Sequence, residues 1–122
     1  MIKGISLFSN VGMAETYLSE VGVDIVIANE LLEERAKFYK HLYPNCDVVQ
    51  GDITDKKIFD ELVKKSKREK IDFLMATPPC QGMSLAGQKD QSDPRNYLII
   101  YAVEMVKKLR PKYVLFENVT MQ

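Results

Sequence analysis

A regular alternation of short apolar runs with longer stretches of helical spacing most constrains the fold. Five runs rich in Val, Ile, Leu or Phe cover residues 4–8, 24–28, 47–49, 71–76 and 112–116. Runs this short and this continuously apolar are typical of strands buried on both faces. The stretches with helical spacing lie between them, at residues 14–21, 32–42, 55–67 and 94–109. The alternation predicts an α/β fold with a mostly parallel sheet built from right-handed crossovers.

Two of the predicted helices carry further information. In the last one, Asp93 suits the N-cap, Pro94 suits the first helical position, and Pro111 prevents continuation beyond Arg110. Because this helix is apolar on most sides, we expect it to pack in the core. The helix predicted over residues 55–67 carries a run of lysines, which indicates a solvated outer face.

Composition narrows the class of protein. The 122 residues suit one domain, and 17 basic residues balance 17 acidic ones, so no overall cationic field draws the chain to nucleic acid. The two cysteines, Cys46 and Cys80, favour neither a disulfide framework nor a zinc site, and no metal is expected. The apolar start of the chain is too short for a signal or a membrane span. We therefore expect a soluble protein of the reducing cytoplasm.

Polar or nucleophilic residues follow each predicted strand. They are Ser9, Asn10, Val11 and Gly12 after the first strand, Asn29 and Glu30 after the second, Gly51 and Asp52 after the third, Thr77 to Gln81 after the fourth, and Glu117 and Asn118 after the fifth. Ligands of open parallel sheets bind beyond the carboxyl ends of the strands. The sequence therefore predicts one ligand-binding rim.

The first part of this rim suits a nucleoside. The loop over residues 8–13 has a single glycine, Gly12, so it lacks the glycine-rich signature that cradles a pyrophosphate. Glu30 is placed to accept hydrogen bonds from ribose hydroxyls, and Asp52 from the exocyclic amine of adenine. Phe8 is either a stacking partner of the base or an ordinary core aromatic. Taken by itself, Glu30 could equally be a solvent-facing carboxylate at the start of a helix.

The second part of the rim carries a candidate nucleophile. Two prolines precede Cys80 and a glycine follows it, so its thiol is expected at the rim, whereas Cys46 is expected to be a small buried residue. Glu117 ends the fifth strand, which we expect beside the fourth. A thiolate and an acid so placed suit addition to carbon 6 of a pyrimidine ring. The single histidine, His41, lies in a helical stretch and does not suggest a Cys-His dyad.

The motifs occur in the order found in one enzyme family. They are Phe8-Ser-Asn-Val-Gly-Met, Asn29-Glu-Leu, Gly51-Asp-Ile, Pro78-Pro-Cys-Gln-Gly-Met-Ser-Leu-Ala-Gly, Asp93-Pro-Arg-Asn and Phe116-Glu-Asn-Val. The chain thus resembles the DNA (cytosine-5) methyltransferases over nearly its whole length, and the Pro-Pro-Cys-Gln segment combined with Glu-Asn-Val is highly specific. The resemblance implies a Rossmann-like three-layer sandwich of the S-adenosylmethionine-dependent methyltransferase type, with strand order 3-2-1-4-5.

The resemblance also implies roles for individual residues. Cys80 would add to carbon 6 of a flipped cytosine and Glu117 would protonate the ring, before carbon 5 takes a methyl group from S-adenosylmethionine and S-adenosylhomocysteine remains. The positions that shape the catalytic site are Pro79, Gln81, Ser84 and Asn118. The positions near the cofactor are Phe8, Ser9, Asn10, Gly12, Met13, Glu30, Leu31, Asp52, Ile53, Pro78 and Leu98. Residues 81–95 resemble the mobile loop that closes over DNA.

Two departures from the family pattern affect what we expect. Asn10 and Met13 stand where the family's first loop usually has glycine, and Met13 could crowd the methionine part of the cofactor. The motifs present imply that residues 1–122 form the amino-terminal portion of the catalytic domain, without the target-recognition domain. We therefore expect a truncated or split enzyme, inactive alone, whose partners are DNA and, if it is split, a second polypeptide carrying that domain. A tRNA cytosine-5 methyltransferase and a non-catalytic binding module of the same fold are the alternatives.

Overall fold

A computed structural model describes residues 1–78 and 98–117. The strands are β1 (Ile2–Leu7), β2 (Val23–Glu30), β3 (Asp47–Gln50), β4 (Phe73–Ala76) and β5 (Tyr113–Phe116). The α-helices are α1 (Glu33–Leu42), α2 (Lys56–Glu69) and α3 (Leu98–Leu109). All strand pairs are parallel, and the order across the sheet is β3-β2-β1-β4-β5. The predicted fold class and strand order are confirmed.

The helix predicted over residues 14–21 is wrong. Two short 3-10 helices, Met13–Glu15 and Leu18–Val21, occupy this stretch. Tyr17 and Val21, two apolar residues of this stretch, are 71% and 74% exposed. Leu18 packs against the sheet, but with Tyr17 and Val21 in solvent the buried apolar face is too small to stabilise a continuous α-helix.

The largest part of the core lies between one face of the sheet and the helices α2 and α3. Ile5, Leu7, Leu74 and Ala76 contribute from the strands, and the fully buried Leu62 contributes from α2. α2 begins at its N-cap Asp55, whose side chain accepts a hydrogen bond from the N–H of Lys57 at 2.9 Å. Its lysine-rich side is mostly exposed, as predicted.

Helix α1 and the 3-10 segments cover the opposite face of the sheet. Tyr39 from α1 packs with Ala28 and Cys46, and Leu18 packs near Phe73 and Met75. Helices on both faces of one parallel sheet give the three layers that were expected.

Helix α3 is only partly a core helix. Ala102 and Met105 are fully buried in the core, as expected, whereas Ile100 and Val103, also apolar, are 48% and 37% exposed. The helix ends at Leu109 and Arg110 has a left-handed φ of 50°, so its predicted end before Pro111 is confirmed. The predicted cap at Asp93 and Pro94 lies outside the described residues. No helix within residues 1–78 and 98–117 is long and apolar enough to cross a membrane.

Candidate active site

The loop that follows β1 has an unusual backbone. Phe8, Asn10 and Gly12 have positive φ angles of 57°, 54° and 84°. Glycine adopts this conformation readily and asparagine tolerates it, but for phenylalanine it is costly. The loop is held internally by the N–H of Gly12, which donates to the carbonyl of Ser9 at 3.1 Å. It is also tied to β2, because the N–H of Ser9 donates to the carbonyl of Asn29 at 3.0 Å.

Glu30, at the end of β2, joins this loop to the start of α1. One carboxylate oxygen accepts the N–H of Asn10 at 2.8 Å, and the other accepts the N–H of Leu32 at 2.9 Å. Glu30 is buried, so the alternative of a solvent-facing carboxylate is wrong. A carboxylate has about four lone-pair sites. Glu30 therefore keeps the capacity to accept hydrogen bonds from a ligand while it holds the loop.

Asp52 and Ile53 follow β3 and differ in environment. Asp52 is exposed, and its Oδ1 accepts hydrogen bonds from the N–H and the hydroxyl of Thr54, at 2.9 and 2.8 Å. These bonds orient a carboxylate beyond the strand end. Ile53 is 3% exposed and belongs to the core beneath it. Asp52 is the more accessible of the two predicted contacts.

Asn29 has a structural role that the sequence did not reveal. Its buried side-chain Nδ2 donates to the carbonyls of Val49 and Gly51, at 2.9 and 3.0 Å. These bonds fix the turn after β3 against the end of β2. A polar residue at the end of an apolar run was the available signal, but its partners lie about twenty positions along the chain.

Glu15 is a second residue that the sequence analysis missed. It is buried in the 3-10 helix Met13–Glu15, and burial raises the pKa of its carboxyl, an effect that the nearby hydroxyls of Tyr39 and Ser6 partly offset. Tyr39 is fully buried beside it, and burial together with the Glu15 charge raises the pKa of the phenol. A titratable pair thus lies directly below the loop.

The ends of β4 and β5 lie side by side, as predicted. Ala76 pairs with Phe116, and the N–H of Glu117 donates to the carbonyl of Ala76 at 3.0 Å. Glu117 is exposed at this rim, and Pro78, the last described residue before the gap, is buried. Thr77 connects this side to the first loop, because its hydroxyl donates to the carbonyl of Phe8 at 2.9 Å.

The remaining predicted site residues fall into two groups. Among the described ones, Phe8 packs partly buried against the core, Ser9 is buried with no hydroxyl partner within residues 1–78 and 98–117, Met13 and Leu31 are exposed, and Leu98 is the half-buried first residue of α3. Outside the described residues lie Pro79, Cys80, Gln81, Ser84 and Asn118, together with the loop predicted over residues 81–95.

Cys46 behaves as predicted for a small core residue. It is 3% exposed and packs with Ala28 and Tyr39. Burial raises the pKa of its thiol to about 12, so the thiolate is scarcely populated near neutral pH. In the part of the chain that the structure describes, no three His, Cys, Asp or Glu residues cluster as metal ligands do.

Comparison with known proteins identifies the family. The family model for the C-5 cytosine-specific DNA methylases matches residues 2–121. This chain belongs to that family. Type II methyltransferase M1.HgaI of Avibacterium volantium is 51% identical over 97% of this chain and 34% of its own length. Type II methyltransferase M.XorII of Xanthomonas oryzae is 35% identical over 95% of this chain and 28% of its own length. The chain therefore spans about a third of these relatives.

Solved structures agree with this assignment. A crystal structure of an E. coli prophage protein assigned as a DNA modification methyltransferase superposes with a TM-score of 0.78, at 29% identity, over 100% of this chain and 34% of the other. A mutant of Spodoptera frugiperda DNMT2 gives a TM-score of 0.71 at 26% identity, over 98% of this chain and 36% of the other. The methyltransferase family and fold are thus established.

Proposed function

We propose that this chain provides the cofactor site and the nucleophile for transfer of a methyl group from S-adenosylmethionine to carbon 5 of cytosine in DNA. One observation carries the proposal. The loop over residues 8–13 and the strand end bearing Glu117 lie on the same rim, joined by the hydrogen bond from Thr77 to Phe8. Thr77 stands three positions before Cys80. The cofactor loop, the acid and the segment that leads to the thiol therefore meet at one end of the sheet.

The residues present fit S-adenosylmethionine. Glu30 has acceptor capacity for ribose hydroxyls, and Asp52 presents an exposed carboxylate for the adenine amine. The buried hydroxyl of Ser9, without a partner among the described residues, is an uncommitted polar group in the same loop. The proposed lining is completed by Phe8, Ser9, Asn10, Gly12, Met13, Leu31, Ile53, Pro78 and Leu98. When bound, this molecule supplies an electrophilic methyl group on a sulfonium.

The protein's own groups would activate the ring. The Cys80 thiolate bonds to carbon 6 of a cytosine flipped out of the duplex, and Glu117 gives a proton to ring nitrogen 3, which leaves carbon 5 nucleophilic. After carbon 5 is methylated, loss of its proton to water returns the electron pair that expels the Cys80 thiolate, and ring nitrogen 3 gives its proton back to Glu117. Pro79, Gln81, Ser84 and Asn118 would shape this site. The exposed position of Glu117 at the rim is consistent with contact to a base.

Activity should require more protein than this chain contains. The outer strand β5 leaves Tyr113, Val114, Leu115 and Phe116 exposed by 54%, 44%, 36% and 41%. A sheet edge with apolar residues on both faces is normally covered. We propose that it is covered by the part of the methyltransferase that the relatives have beyond the third matched here. That part would contain the target-recognition domain and would bind DNA with this chain.

A complementation assay tests this function. The chain is mixed with a polypeptide that corresponds to the remaining length of M1.HgaI, and labelled methyl transfer to duplex DNA is measured, with 5-methylcytosine identified after digestion. We expect incorporation only when both polypeptides and S-adenosylmethionine are present. Incorporation into tRNA and not into DNA would reject the substrate, and absence of both cofactor binding and incorporation would favour a non-catalytic binding module.

A further inference from the structure

The three left-handed residues of the loop over residues 8–13 share a feature. Each is held by one side chain from outside the loop. Thr77 donates to the carbonyl of Phe8 at 2.9 Å, Glu30 accepts the N–H of Asn10 at 2.8 Å, and Tyr43 donates to the carbonyl of Gly12 at 2.8 Å. These three side chains come from the end of β4, the end of β2 and the residue after α1. The loop is therefore held by three side chains at its three residues with left-handed φ angles.

We propose that Tyr43 and Thr77 are positioning residues that pre-form the S-adenosylmethionine site through this loop. The inference rests on the function proposed above and extends it to two residues whose side chains act on the loop backbone. Neither residue is required by the chemistry, since both act through carbonyl groups that face them. Their contribution is to the conformation that the cofactor meets.

Tyr43 holds the loop by its ring as well as its hydroxyl. A Cβ atom placed on Gly12 would lie 2.5 Å from Cε2 of Tyr43 and 2.9 Å from the Tyr39 ring, so both rings pack directly against the Gly12 backbone. The Tyr43 ring centroid is 4.9 Å from that of Tyr39, and the N–H of Tyr43 donates to the carbonyl of Tyr39 at 2.8 Å. Because Tyr39 is fully buried, the ring of Tyr43 has a rigid support.

Thr77 acts at the opposite end of the loop. Its N–H donates to the carbonyl of Leu7 at 3.3 Å, while its hydroxyl reaches the next carbonyl, that of Phe8. Phe8 is the residue for which a left-handed backbone is most costly, because its bulky side chain disfavours that conformation. The hydrogen bond from the Thr77 hydroxyl therefore restrains the loop at the residue whose backbone conformation is the least stable.

Cofactor affinity separates a positioning role from a purely structural one. The dissociation constant for S-adenosylmethionine is measured by calorimetry for the chain with its complementing polypeptide, and urea unfolding is measured in parallel. The variants are Tyr43→Phe and Thr77→Val, which each remove one hydroxyl donor. Their controls are Tyr17→Phe, at a tyrosine that is 71% exposed, and Thr77→Ser, which keeps the donor.

We expect Tyr43→Phe and Thr77→Val each to weaken S-adenosylmethionine binding by about three- to tenfold, the range for loss of one hydrogen bond. KM for the cofactor should rise by the same factor while kcat at saturation stays within about twofold of wild type. Tyr17→Phe and Thr77→Ser should bind as wild type does. Wild-type affinity in Tyr43→Phe and Thr77→Val, even with lowered stability, would overturn the inference. Failure of the wild-type protein itself to bind the cofactor would instead reject the proposed function.

Discussion

The two flanks of the sheet differ in how well their strands are covered. On the flank formed by β1, β2 and β3, two buried polar side chains fix the strand ends: Asn29 bonds two carbonyls and Glu30 bonds two N–H groups. On the flank formed by β4 and β5, the outer strand exposes all four of its apolar residues. The first flank therefore has strand ends fixed by buried polar contacts, whereas the second has an apolar strand without cover among the described residues.

The register of β5 shows that this strand has exposed apolar side chains on both of its faces. Val114 pairs with Leu74 and Phe116 with Ala76, so both lie on the face covered elsewhere by α2 and α3. Tyr113 and Leu115 lie on the opposite face. A strand that is apolar on both faces is typical of the interior of a parallel sheet and not of its edge.

The largest expected effect concerns the thiol on the catalytic side. Replacing Cys80 by Ser removes the proposed nucleophile, so methyl transfer in the complemented enzyme should fall by roughly a thousandfold or more. The affinity for S-adenosylmethionine should stay close to that of wild type, since the cofactor loop is held by other groups. Labelled methyl transfer and calorimetry on the same preparation measure the two quantities.

Cys46 provides the matched control for that substitution. Because its thiol is buried with a pKa raised to about 12, Cys46→Ala should retain methyl transfer and lose only stability. Equal loss of methyl transfer in Cys80→Ser and Cys46→Ala would contradict the assignment of the nucleophile. Unchanged transfer in Cys80→Ser would reject covalent catalysis by this residue.

The next effect tests whether the exposed strand is an interface. A charge at Val114 should weaken association with the complementing polypeptide by roughly a hundredfold, because Val114→Asp would bury an unpaired carboxylate there. The stability of the chain alone should change by less than about 0.5 kcal/mol, since Val114 is 44% exposed. Val21→Asp, at a valine that is 74% exposed beside the opposite ends of the strands, is the control. Association that tolerates both substitutions equally would leave β5 outside the interface.

A pair of glycines tests how tightly the cofactor side is packed. Gly12 and Gly22 have similar φ angles of 84° and 88°, so alanine costs about 1 to 2 kcal/mol of backbone strain at either position. Only at Gly12 would the new methyl group meet the rings of Tyr39 and Tyr43, whereas a Cβ atom placed on Gly22 would have no contact within 4 Å in the described part of the chain. Urea unfolding should therefore find Gly12→Ala less stable than Gly22→Ala by about 1 to 3 kcal/mol. Equal values would show that the two rings move aside easily.

The sequence was informative where a local pattern reports directly on structure. The apolar runs located all five strands to within about two residues, and their alternation with helices determined the parallel sheet. The order of motifs placed Glu117 correctly beside β4. The same kind of pattern failed over residues 14–21, because helical spacing does not reveal that Tyr17 and Val21 face solvent.

Contacts between distant residues account for what the sequence could not show. Tyr43 lies 31 positions from Gly12 and Thr77 lies 69 positions from Phe8, so neither hydrogen bond has a local signature. Likewise an apolar run such as that of β5 has the same composition whether its strand is covered or exposed. Glu15 resembled a surface acid, because an acidic residue in a polar stretch gives no sign of burial.

Glu15 gives the smallest expected effect, and its substitution tests whether a buried carboxylate on the cofactor side lowers the stability of the protein at neutral pH. Its pKa is raised above 4.5 by burial, so the folded state holds its proton more tightly than the unfolded state does. The contribution of Glu15 to the free energy of unfolding is therefore greatest below about pH 4.5 and declines as pH rises through the folded-state pKa, so that at neutral pH the buried carboxylate lowers the stability of the folded protein.

Glu15→Gln removes the charge and should raise the midpoint of thermal unfolding at pH 7, with the difference from wild type closing as pH falls below 4.5. Glu20→Gln, at an exposed acid in the neighbouring 3-10 helix, is the control and should unfold at nearly the same temperature as wild type. A destabilised Glu15→Gln at neutral pH would mean that the hydroxyls of Tyr39 and Ser6 stabilise the carboxylate more than burial disfavours it.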